Sequence, residues 1–507
     1  MTESICLADV VRRGEGGAPA LRAPGRDAMT FDDLRALCSE TMAALNSFGI
    51  GRNERIAIVL PNGPEMASAF VTVASCATAA PLNPAYKVEE FEFYISDLNA
   101  RAVIVLSGDE NPVTQAAENL NVPLIQLTRR HDGPAGAFSL EPVSVSPTVA
   151  GGMAGPEDIG LILHTSGTTS RPKIVPLSQR NLAASARNIS SWLELETSDS
   201  CLNVMPLFHI HGLIAAVLSS LYAGASVACT PGFNALKFFP WVDEIRPTWY
   251  TAVPTMHQVI LARAGRNQEI LDRNPLRFIR SSSSSLPSTV MTELEEIFSA
   301  PVIESYGMTE AAHQMTSNPL PPHERRPGCV GVAAGPEVAI MAPNGELLAP
   351  GEIGEVVIRG DNVSQGYENN DKANAEAFTA GWFRTGDQGQ MDEAGYLTLT
   401  GRLKEIINRG GEKISPREVD DILIAHPAVS QAVVFAMPHD KLGEEVAAAI
   451  VLCEGQEASE REIRDFAAHR LAAFKVPQKI LLLDEIPKGA TGKLQRIGLA
   501  EKLGLVS

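Results

Sequence analysis

Short apolar runs that are rich in β-branched residues alternate with amphipathic segments along most of this 507-residue chain. Such runs are typical of strands that are buried on both faces, as in parallel sheets covered by helices. Between them, segments such as Phe31–Phe48 and Pro287–Phe298 carry apolar residues at helical spacing. The alternation predicts an α/β fold with parallel or mixed sheets flanked by helices. The predicted strands are RIAIVL (55–60), RAVIVLS (101–107), VPLIQL (122–127), GLILHTS (160–166), ASVACT (225–230) and TWYTAV (248–253).

The pattern changes after Gly331, where the predicted strands become short and are separated by turns. Asn344-Gly345 is a strong hairpin signal, and the region predicts a small antiparallel sheet or barrel. The clearest boundary lies near residue 400, which gives a large domain over 1–401 and a small α+β domain over 402–507. Ser415, with Pro416 and Glu418 behind it, predicts the start of a helix. The small domain is expected to contain helices 416–425 and 458–472 and strands 430–436, 446–453 and 478–483.

The charge of the chain excludes some classes of partner. Lys and Arg total 42 against 60 Asp and Glu, so the formal net charge is −18. Such a chain is a poor candidate for binding a nucleic-acid backbone, and anionic lipid should repel it. The segment 470–507 is locally basic and is therefore a sensible place to meet a polyanionic small molecule.

Cysteine usage and the chain ends predict a cytoplasmic protein. The seven cysteines are far apart and form no Cys-x-x-Cys pair, which favours a reducing compartment with structural thiols. The first residues do not look like a secretory signal, and the last three are not a Ser-Lys-Leu address. The segment 203–236 has no Asp, Glu, Lys or Arg, but Pro206 and the histidines interrupt it. It therefore predicts a buried helix that ends at Gly224 and a following strand, rather than a membrane span.

Several segments carry residues suited to nucleotide chemistry. His164–Lys173 (HTSGTTSRPK) follows an apolar strand and offers small hydroxyl residues, unhindered backbone N–H groups and a lysine to phosphate oxygens. The serine run 281–285 lies between a predicted strand and a predicted helix and should be an ordered loop. In ESYGMTE (304–310), an aromatic side chain can stack on a base, while Thr309 and Glu310 can hold a phosphate and a hard cation. In WFRTGD (382–387), Asp387 follows a predicted tight turn and suits vicinal ribose hydroxyls.

Together these motifs, with PKGATGK (487–493), resemble those of the adenylate-forming superfamily of acyl-CoA synthetases, luciferases and peptide-synthetase adenylation domains. The resemblance covers essentially the whole chain. The segment HTSGTTSRPK resembles the family's phosphate loop, and YGMTE resembles its adenine motif. TGD resembles its ribose motif, and GRLKEIINRGGEKISPREVD resembles its hinge. Ser170 and Ile174 depart from glycines that the family usually carries there.

The resemblance implies an ATP-dependent acid–CoA ligase with a mobile C-terminal domain. A carboxylate would attack the α-phosphate of ATP, and coenzyme A would then displace AMP from the acyl-adenylate. Lys493 would bridge the carboxylate and the α-phosphate, and Glu310 with Thr165 would hold Mg²⁺. Lys404 would be the hinge, and Gly410 and Gly411 would line the coenzyme A channel. The ATP-binding residues implied are Thr165, Ser166, Gly167, Thr168, Thr169, Ser170, Lys173, Ser283, Ser284, Glu304, Ser305, Tyr306, Gly307, Met308, Thr309, Asp387, Arg402 and Lys493.

The acid is indicated by polar residues near the expected acyl pocket. In PLFHIHGL (206–213), His209 and His211 would point to one face if the segment is extended. A zinc site would need a third ligand, and none is spaced plausibly nearby. Polar residues on the pocket wall suit a small charged acid better than a fatty acyl chain. These segments are similar to those of the oxalate–CoA ligase branch. The resemblance implies that His209 or His211, together with Ser283 and His313, holds the distal carboxylate of oxalate. His209 is also a catalytic candidate.

Other substrates remain open at this point. Within the same class they are malonate, another short-chain acid, a medium-chain fatty acid or an aromatic acid. The chain could also be an adenylation module that loads a carrier protein, or a degenerate binding protein. Intact Lys493, Glu310 and Asp387 argue against degeneracy.

Overall fold

The computed structural model describes residues 5–143, 150–165, 172–487 and 495–506. The described residues divide into two compact units. The first comprises Met1–Thr165, Lys173–Val338 and Ile358–Phe383, and the second includes Ala339–Val357 and Arg384–Ser507. The predicted domains 1–401 and 402–507 stay a prediction.

A nine-stranded sheet carries much of the first unit. Its inner strands are parallel, and its last strand pairs at each edge are antiparallel. This arrangement confirms the predicted α/β class. In order across the sheet, the strands are Val332–Ala333, His313–Ser317, Val302–Met308, Phe278–Ser281, Trp249–Ala252, Ser200–Asn203, Ser226–Cys229, Pro19–Ala23 and Arg26–Thr30.

A seven-stranded sheet of the same unit follows the same plan. Its five central strands are parallel, and an antiparallel strand closes each edge. The three innermost strands are almost entirely buried, which explains why they read as continuous apolar runs. In order, the strands are Phe138–Leu140, Leu124–Arg129, Ala102–Leu106, Arg55–Val59, Thr78–Pro81, Ile159–Thr165 and Lys173–Ser178.

The two helices predicted over Phe31–Phe48 and Pro287–Phe298 are present in the first unit. Thr30 caps the helix Phe31–Ser47 by accepting a hydrogen bond from the Asp33 amide, and the Asp33 carboxylate accepts one from the Thr30 amide. The helix Ser288–Phe298 lies one residue inside the predicted range. The others are Leu7–Arg12, Pro64–Ala74, Val88–Asp97, Pro112–Leu120, Gln179–Trp192, Ser219–Ala223, Phe238–Ile245, Pro254–Ala264, Gln268–Arg273 and Asp371–Ala377, with a π-helix at His211–Leu218 and 3₁₀ turns at Gly265–Asn267 and Thr309–Ala311.

The uncharged segment 203–236 forms a buried helix and strand, as predicted. The π-helix runs directly into the helix Ser219–Ala223. That helix ends at Gly224, which has a φ of +73° in the left-handed region. Ser226–Cys229 follows as an inner strand. Within the described residues, no helix has the length and apolar character needed to cross a membrane.

A small five-stranded sheet confirms the small antiparallel sheet that was predicted after Gly331. The hairpin predicted at Asn344-Gly345 is present, because Met341 and Leu347 pair in an antiparallel bridge and Gly345 has a φ of +91°. The strands, in order, are Glu337–Met341, Gly354–Arg359, Trp382–Met391 and Phe378–Thr379, with Leu397–Arg402 paired to Trp382–Met391.

The C-terminal segment of the second unit is the predicted small α+β structure. Ser415 caps its first helix by accepting a hydrogen bond from the Glu418 amide. The predicted helix 458–472 ends earlier, at Ala468. The strands are Glu412–Ile414, Ile407–Arg409, Gly443–Leu452, Val429–His439 and Lys479–Leu482, and the helices are Pro416–Ile424, Glu460–Ala468 and Leu499–Lys502, with 3₁₀ turns at Leu403–Glu405 and Ala473–Lys475.

A buried histidine makes the stability of the first unit depend on pH. His257 is fully buried, and its Nδ1 lies 3.1 Å from the Tyr250 hydroxyl. Burial lowers the pKa of His257 from 6.5 to about 3. The unfolded chain takes up a proton below pH 6.5 and the folded chain does not, so stability falls as the pH drops through this window. This group alone should lower the free energy of unfolding by about 2 kcal/mol between pH 6.5 and pH 5.

Denaturant unfolding at several pH values measures this effect. The His257→Leu variant should show a shallower loss of stability over the same range, although its absolute stability also changes. Equal slopes in the two proteins would contradict the assignment.

Candidate active site

The phosphate-loop motif begins and ends on a hairpin of the first unit. Thr165 ends the strand Ile159–Thr165, Lys173 begins the strand Lys173–Ser178, and the two residues are partners in the antiparallel ladder. The structure therefore pairs the backbones of two residues that are eight positions apart, one with a hydroxyl and one with an ammonium group. The five predicted ATP contacts between them lie outside the described residues: Ser166, Gly167, Thr168, Thr169 and Ser170.

A carboxylate supports the start of this motif. His164 Nε2 lies 3.0 Å from Asp97 Oδ2, and the Tyr94 ring contacts the imidazole edge-on with centroids 4.7 Å apart. Both side chains of the pair are nearly buried. The pair fixes the imidazole next to Thr165, so Asp97 acts as a support for the motif from a helix 67 residues earlier.

A tyrosine links the phosphate-loop lysine to the predicted metal ligand. Tyr367 donates a hydrogen bond from its hydroxyl to Glu310 Oε1 at 2.8 Å. Lys173 Nζ lies 4.1 Å from the centroid of the same ring, which is a cation–π contact. The backbone of Glu310 is held as well, because its carbonyl accepts from the Ser364 amide at 2.7 Å. Lys173, Tyr367 and Glu310 thus form one connected group in the first unit.

The predicted adenine motif lies on the strand Val302–Met308 and the 3₁₀ turn Thr309–Ala311. Gly307 is required there, since a Cβ atom on it would lie 1.7 Å from the His313 carbonyl oxygen. Glu304 is buried and accepts a hydrogen bond from the Leu286 amide at 3.0 Å, which holds the end of the serine loop. Ser305 is buried, and its hydroxyl lies 2.8 Å from that of Ser317. Tyr306, Met308 and Thr309 are half-buried.

The serine loop and the predicted acyl-pocket histidines meet in the first unit. His211 is buried, its Nδ1 lies 2.9 Å from Ser283 Oγ, and its Nε2 lies 2.6 Å from Thr251 Oγ1. The rings of His211 and His313 touch edge-on, with centroids 5.1 Å apart. Burial, followed by the neighbouring His313 and Arg280, holds the pKa of His211 well below its usual range. The imidazole of His211 is therefore neutral at pH 7.

Backbone strain is concentrated in this cluster. Ser283 has a φ of +72°, and the consecutive residues Ala312 and His313 have φ values of +47° and +102°. Non-glycine residues in this region cost energy and persist where the surrounding structure holds them, which is common at functional sites. The π-helix that begins at His211 is another feature that is often found at such sites. Ser284, the next predicted contact, is exposed.

The prediction that His209 and His211 share one face of an extended segment is wrong. The chain turns after Pro206, whose carbonyl accepts from the His209 amide, and the π-helix begins at His211. His209 is half-buried, and its ring lies 4.6 Å from that of Phe208. His211 is joined to the serine loop by the hydrogen bond between its Nδ1 and Ser283 Oγ. In the described ranges no three His, Cys, Asp or Glu side chains form a group that could hold a metal ion.

The predicted ribose motif lies in the second unit. Asp387 and Arg402 are cross-strand partners, and Arg402 Nε lies 2.9 Å from Asp387 Oδ1. The carboxylate is largely buried while the guanidinium is half exposed. The tight turn expected before Asp387 is not present: Gly386, with a φ of +74°, lies inside the strand Trp382–Met391. Glycine is still favoured at this position, because its positive φ suits glycine in a strand as it would in a turn.

The predicted hinge and channel residues also lie in the second unit. Lys404 is exposed in the 3₁₀ turn Leu403–Glu405. Gly410 and Gly411 form the turn between two short strands, with φ values of +59° and +100°. Lys493 lies outside the described residues.

The family of the chain follows from comparisons with known proteins. The family model for AMP-binding enzymes matches residues 8–368, and that for the AMP-binding enzyme C-terminal domain matches residues 418–493. The chain belongs to the AMP-binding enzyme family. The predicted superfamily is thereby confirmed. The two relatives described next confirm the predicted oxalate–CoA ligase branch and show that this AMP-binding enzyme is an acid–CoA ligase.

Two curated relatives and one solved structure show how far the similarity extends. The enzyme is 46% identical to the oxalate–CoA ligase of Arabidopsis thaliana, over 94% of each chain. It is 42% identical to the oxalate–CoA ligase of Saccharomyces cerevisiae, over 89% of this chain and 87% of the yeast protein. ATP-bound MatB from Rhodopseudomonas palustris is 27% identical, with a TM-score of 0.86 and coverage of 98% of this chain and 99% of that one.

The ligase also has functional candidates that its motifs did not reveal. Asp97 and Tyr367 lie in segments without a motif, and nothing in the sequence pairs them with His164 or Glu310. Arg280 lies directly before the serine run, where a basic residue in an otherwise apolar strand could have signalled it. It is fully buried, and burial lowers its pKa to about 9, so it remains charged at pH 7.

Proposed function

We propose that this AMP-binding enzyme activates oxalate and transfers the oxalyl group to coenzyme A. The observation that carries the proposal is the polar cluster of His211, Ser283 and His313, in which two rings and a hydroxyl lie within contact distance. A second carboxylate can accept hydrogen bonds from a polar cluster of this kind, whereas an apolar acyl chain offers it no hydrogen-bond partner. The identity to two oxalate–CoA ligases supports the same substrate.

The first half-reaction needs the carboxylate and the α-phosphate of ATP to approach although both are negative. In the proposal, Lys493 contributes the ammonium group between them, and Lys173 and Thr165 bind phosphate oxygens. Asp387 accepts hydrogen bonds from the ribose hydroxyls, and Arg402 orients that carboxylate through their 2.9 Å ion pair. Pyrophosphate leaves with the electrons of the broken phosphoanhydride bond, and the acyl-adenylate remains.

Magnesium is the metal that these residues fit. Glu310 presents a carboxylate, one oxygen of which accepts from Tyr367, and Thr165 presents a hydroxyl. Oxygen ligands of this kind, completed by phosphate and water, are those that Mg²⁺ prefers. When bound, the ion would offset the negative charge of the phosphates.

The second half-reaction is thiol attack on the acyl-adenylate with release of AMP. We assign Lys404 to the hinge about which the small domain would reorient, withdrawing Lys493, and Gly410 and Gly411 to the wall of the thiol channel. Reorientation of a domain lets one site serve two chemistries. We also assign the enzyme to the cytoplasm, since all seven cysteines are free thiols, which suits a reducing compartment.

A pyrophosphate-release assay over a panel of acids tests the proposal. The panel contains oxalate, malonate, acetate, octanoate and coumarate, each with ATP, Mg²⁺ and coenzyme A. We expect oxalate to have the highest kcat/KM. Turnover of octanoate or coumarate without turnover of oxalate would refute the oxalate assignment, and turnover only with a carrier protein in place of coenzyme A would refute the acceptor.

A further inference from the structure

Arg280 is a buried cation whose charge no described acidic residue balances. Its Nη2 donates to Gln314 Oε1 at 3.1 Å, and its Nη1 faces His211 Nε2 at 3.5 Å. Over the ranges that the structure describes, its Nε has no hydrogen-bond partner and no carboxylate forms an ion pair with it. A buried charge without a counter-ion is costly to the fold. Such a charge is therefore typical of a site that receives an anion from outside.

The arginine also determines which nitrogen of His211 carries the proton. A guanidinium has only donors, so the nitrogen that faces it must be an acceptor. Thr251, at 2.6 Å, can donate to the same Nε2. The single proton of the neutral imidazole is then on Nδ1, which donates to Ser283 Oγ at 2.9 Å.

This tautomer sets the polarity of the serine hydroxyl. Ser283 accepts from His211, so its own hydrogen is directed elsewhere. Ser283 is exposed, on a loop held in a strained conformation with a φ of +72°. The hydroxyl can therefore donate to an anion in the pocket. In the opposite tautomer the hydroxyl would donate to His211 and would have no hydrogen left for the anion.

We infer that Arg280 is a specificity-determining positioning residue, which acts through His211 to make Ser283 a hydrogen-bond donor to the distal carboxylate and supplies the positive charge behind it. The inference rests on the proposed oxalate substrate. Arg280 is fully buried, so it acts through its neighbours and not by touching the acid. Its role is to distinguish a dianionic acid from a neutral analogue of the same shape.

The experiment compares oxalate with oxamate, in which an amide replaces the distal carboxylate at nearly equal size. The kcat/KM of the full-length enzyme for both is measured by pyrophosphate release. In Arg280→Met we expect the value for oxalate to fall about 10- to 100-fold, the scale of a hydrogen bond to a charged group. The kcat/KM for oxamate should change by less than about threefold, because its distal amide is neutral and gains little from the positive charge of Arg280. A purely structural role would lower both values together.

Further variants make the result specific. Arg22 is a half-buried arginine of the same sheet that donates to Ser200 and the Ile245 carbonyl, and Arg22→Met should leave the oxalate-to-oxamate ratio unchanged. Ser283→Ala should lower the ratio, and combining it with Arg280→Met should add little, because both changes remove one coupled interaction. Arg280→Gln is a second neutral variant in case the methionine variant does not fold.

The outcomes separate this inference from the proposed function. An unchanged ratio in a folded neutral variant of Arg280, while the wild type prefers oxalate, overturns the inference and leaves the function intact. If the wild type uses another diacid instead of oxalate, the proposed substrate fails. The ratio of that diacid to its monoamide then tests Arg280 in the same way.

Discussion

The Lys493→Ala variant should lose about 100- to 1000-fold in the rate of adenylation, the scale of removing one pre-organised transition-state donor. Two anions meet in this step, and the proposed role of Lys493 is to hold its ammonium group between them. The substitution removes that charge and the contacts of Lys493, while leaving the contacts that other residues make with ATP and the acid in place. Oxalate-dependent exchange of pyrophosphate into ATP measures this half-reaction alone.

The second half-reaction supplies the internal control for Lys493. Thioester formation from pre-made oxalyl-adenylate and coenzyme A should continue at close to the wild-type rate, because Lys493 is assigned only to the first step. Lys488→Ala, which removes a lysine from the same glycine-rich segment, should change both steps by less than about threefold. Equal losses in the two half-reactions of Lys493→Ala would show that the assigned role is wrong.

The parts of the fold that local sequence patterns determine were predictable. Buried parallel strands read as continuous apolar runs, and the caps at Thr30 and Ser415 carry their own residue signatures. Thr165 and Lys173 could be expected near each other because both belong to one short motif that follows a predicted strand. Spacing within a motif is local information, and the sequence contains it directly.

The partners of the motif residues depend on long-range packing and were not predictable in this way. Tyr367 reaches Glu310 from 57 residues away, and Asp97 reaches His164 from 67. No spacing rule relates such pairs, since only the folded chain brings them together. The expected geometry of His209 and His211 was wrong for a different reason. It assumed an extended segment, and the chain instead turns and forms a π-helix from His211.

The Glu310→Gln variant should also lose about 100-fold or more in adenylation, because it removes the proposed carboxylate ligand of the metal while keeping the size of the side chain. The amide oxygen can still accept from the Tyr367 hydroxyl, which lies 2.8 Å from Glu310 Oε1 in the wild type. The loss would therefore report the missing charge and not a missing contact. Titrating Mg²⁺ in the exchange assay should show a weaker apparent affinity in the variant.

A graded series separates the metal role of Glu310 from a structural one. Tyr367→Phe keeps the carboxylate and the ring under Lys173 but removes the hydrogen bond, so we expect a smaller loss of about 10-fold, the lower end for a group that orients a ligand. Glu368→Gln alters the neighbouring carboxylate, which is paired with Arg55 at 2.7 Å, and should change the rate by less than about threefold. If Glu310→Gln weakened adenylation no more than Glu368→Gln at limiting Mg²⁺, the carboxylate could not be the metal ligand. The order Glu310, Tyr367, Glu368 is expected because only the first contributes charge to the metal, the second orients that charge, and the third is balanced by an arginine.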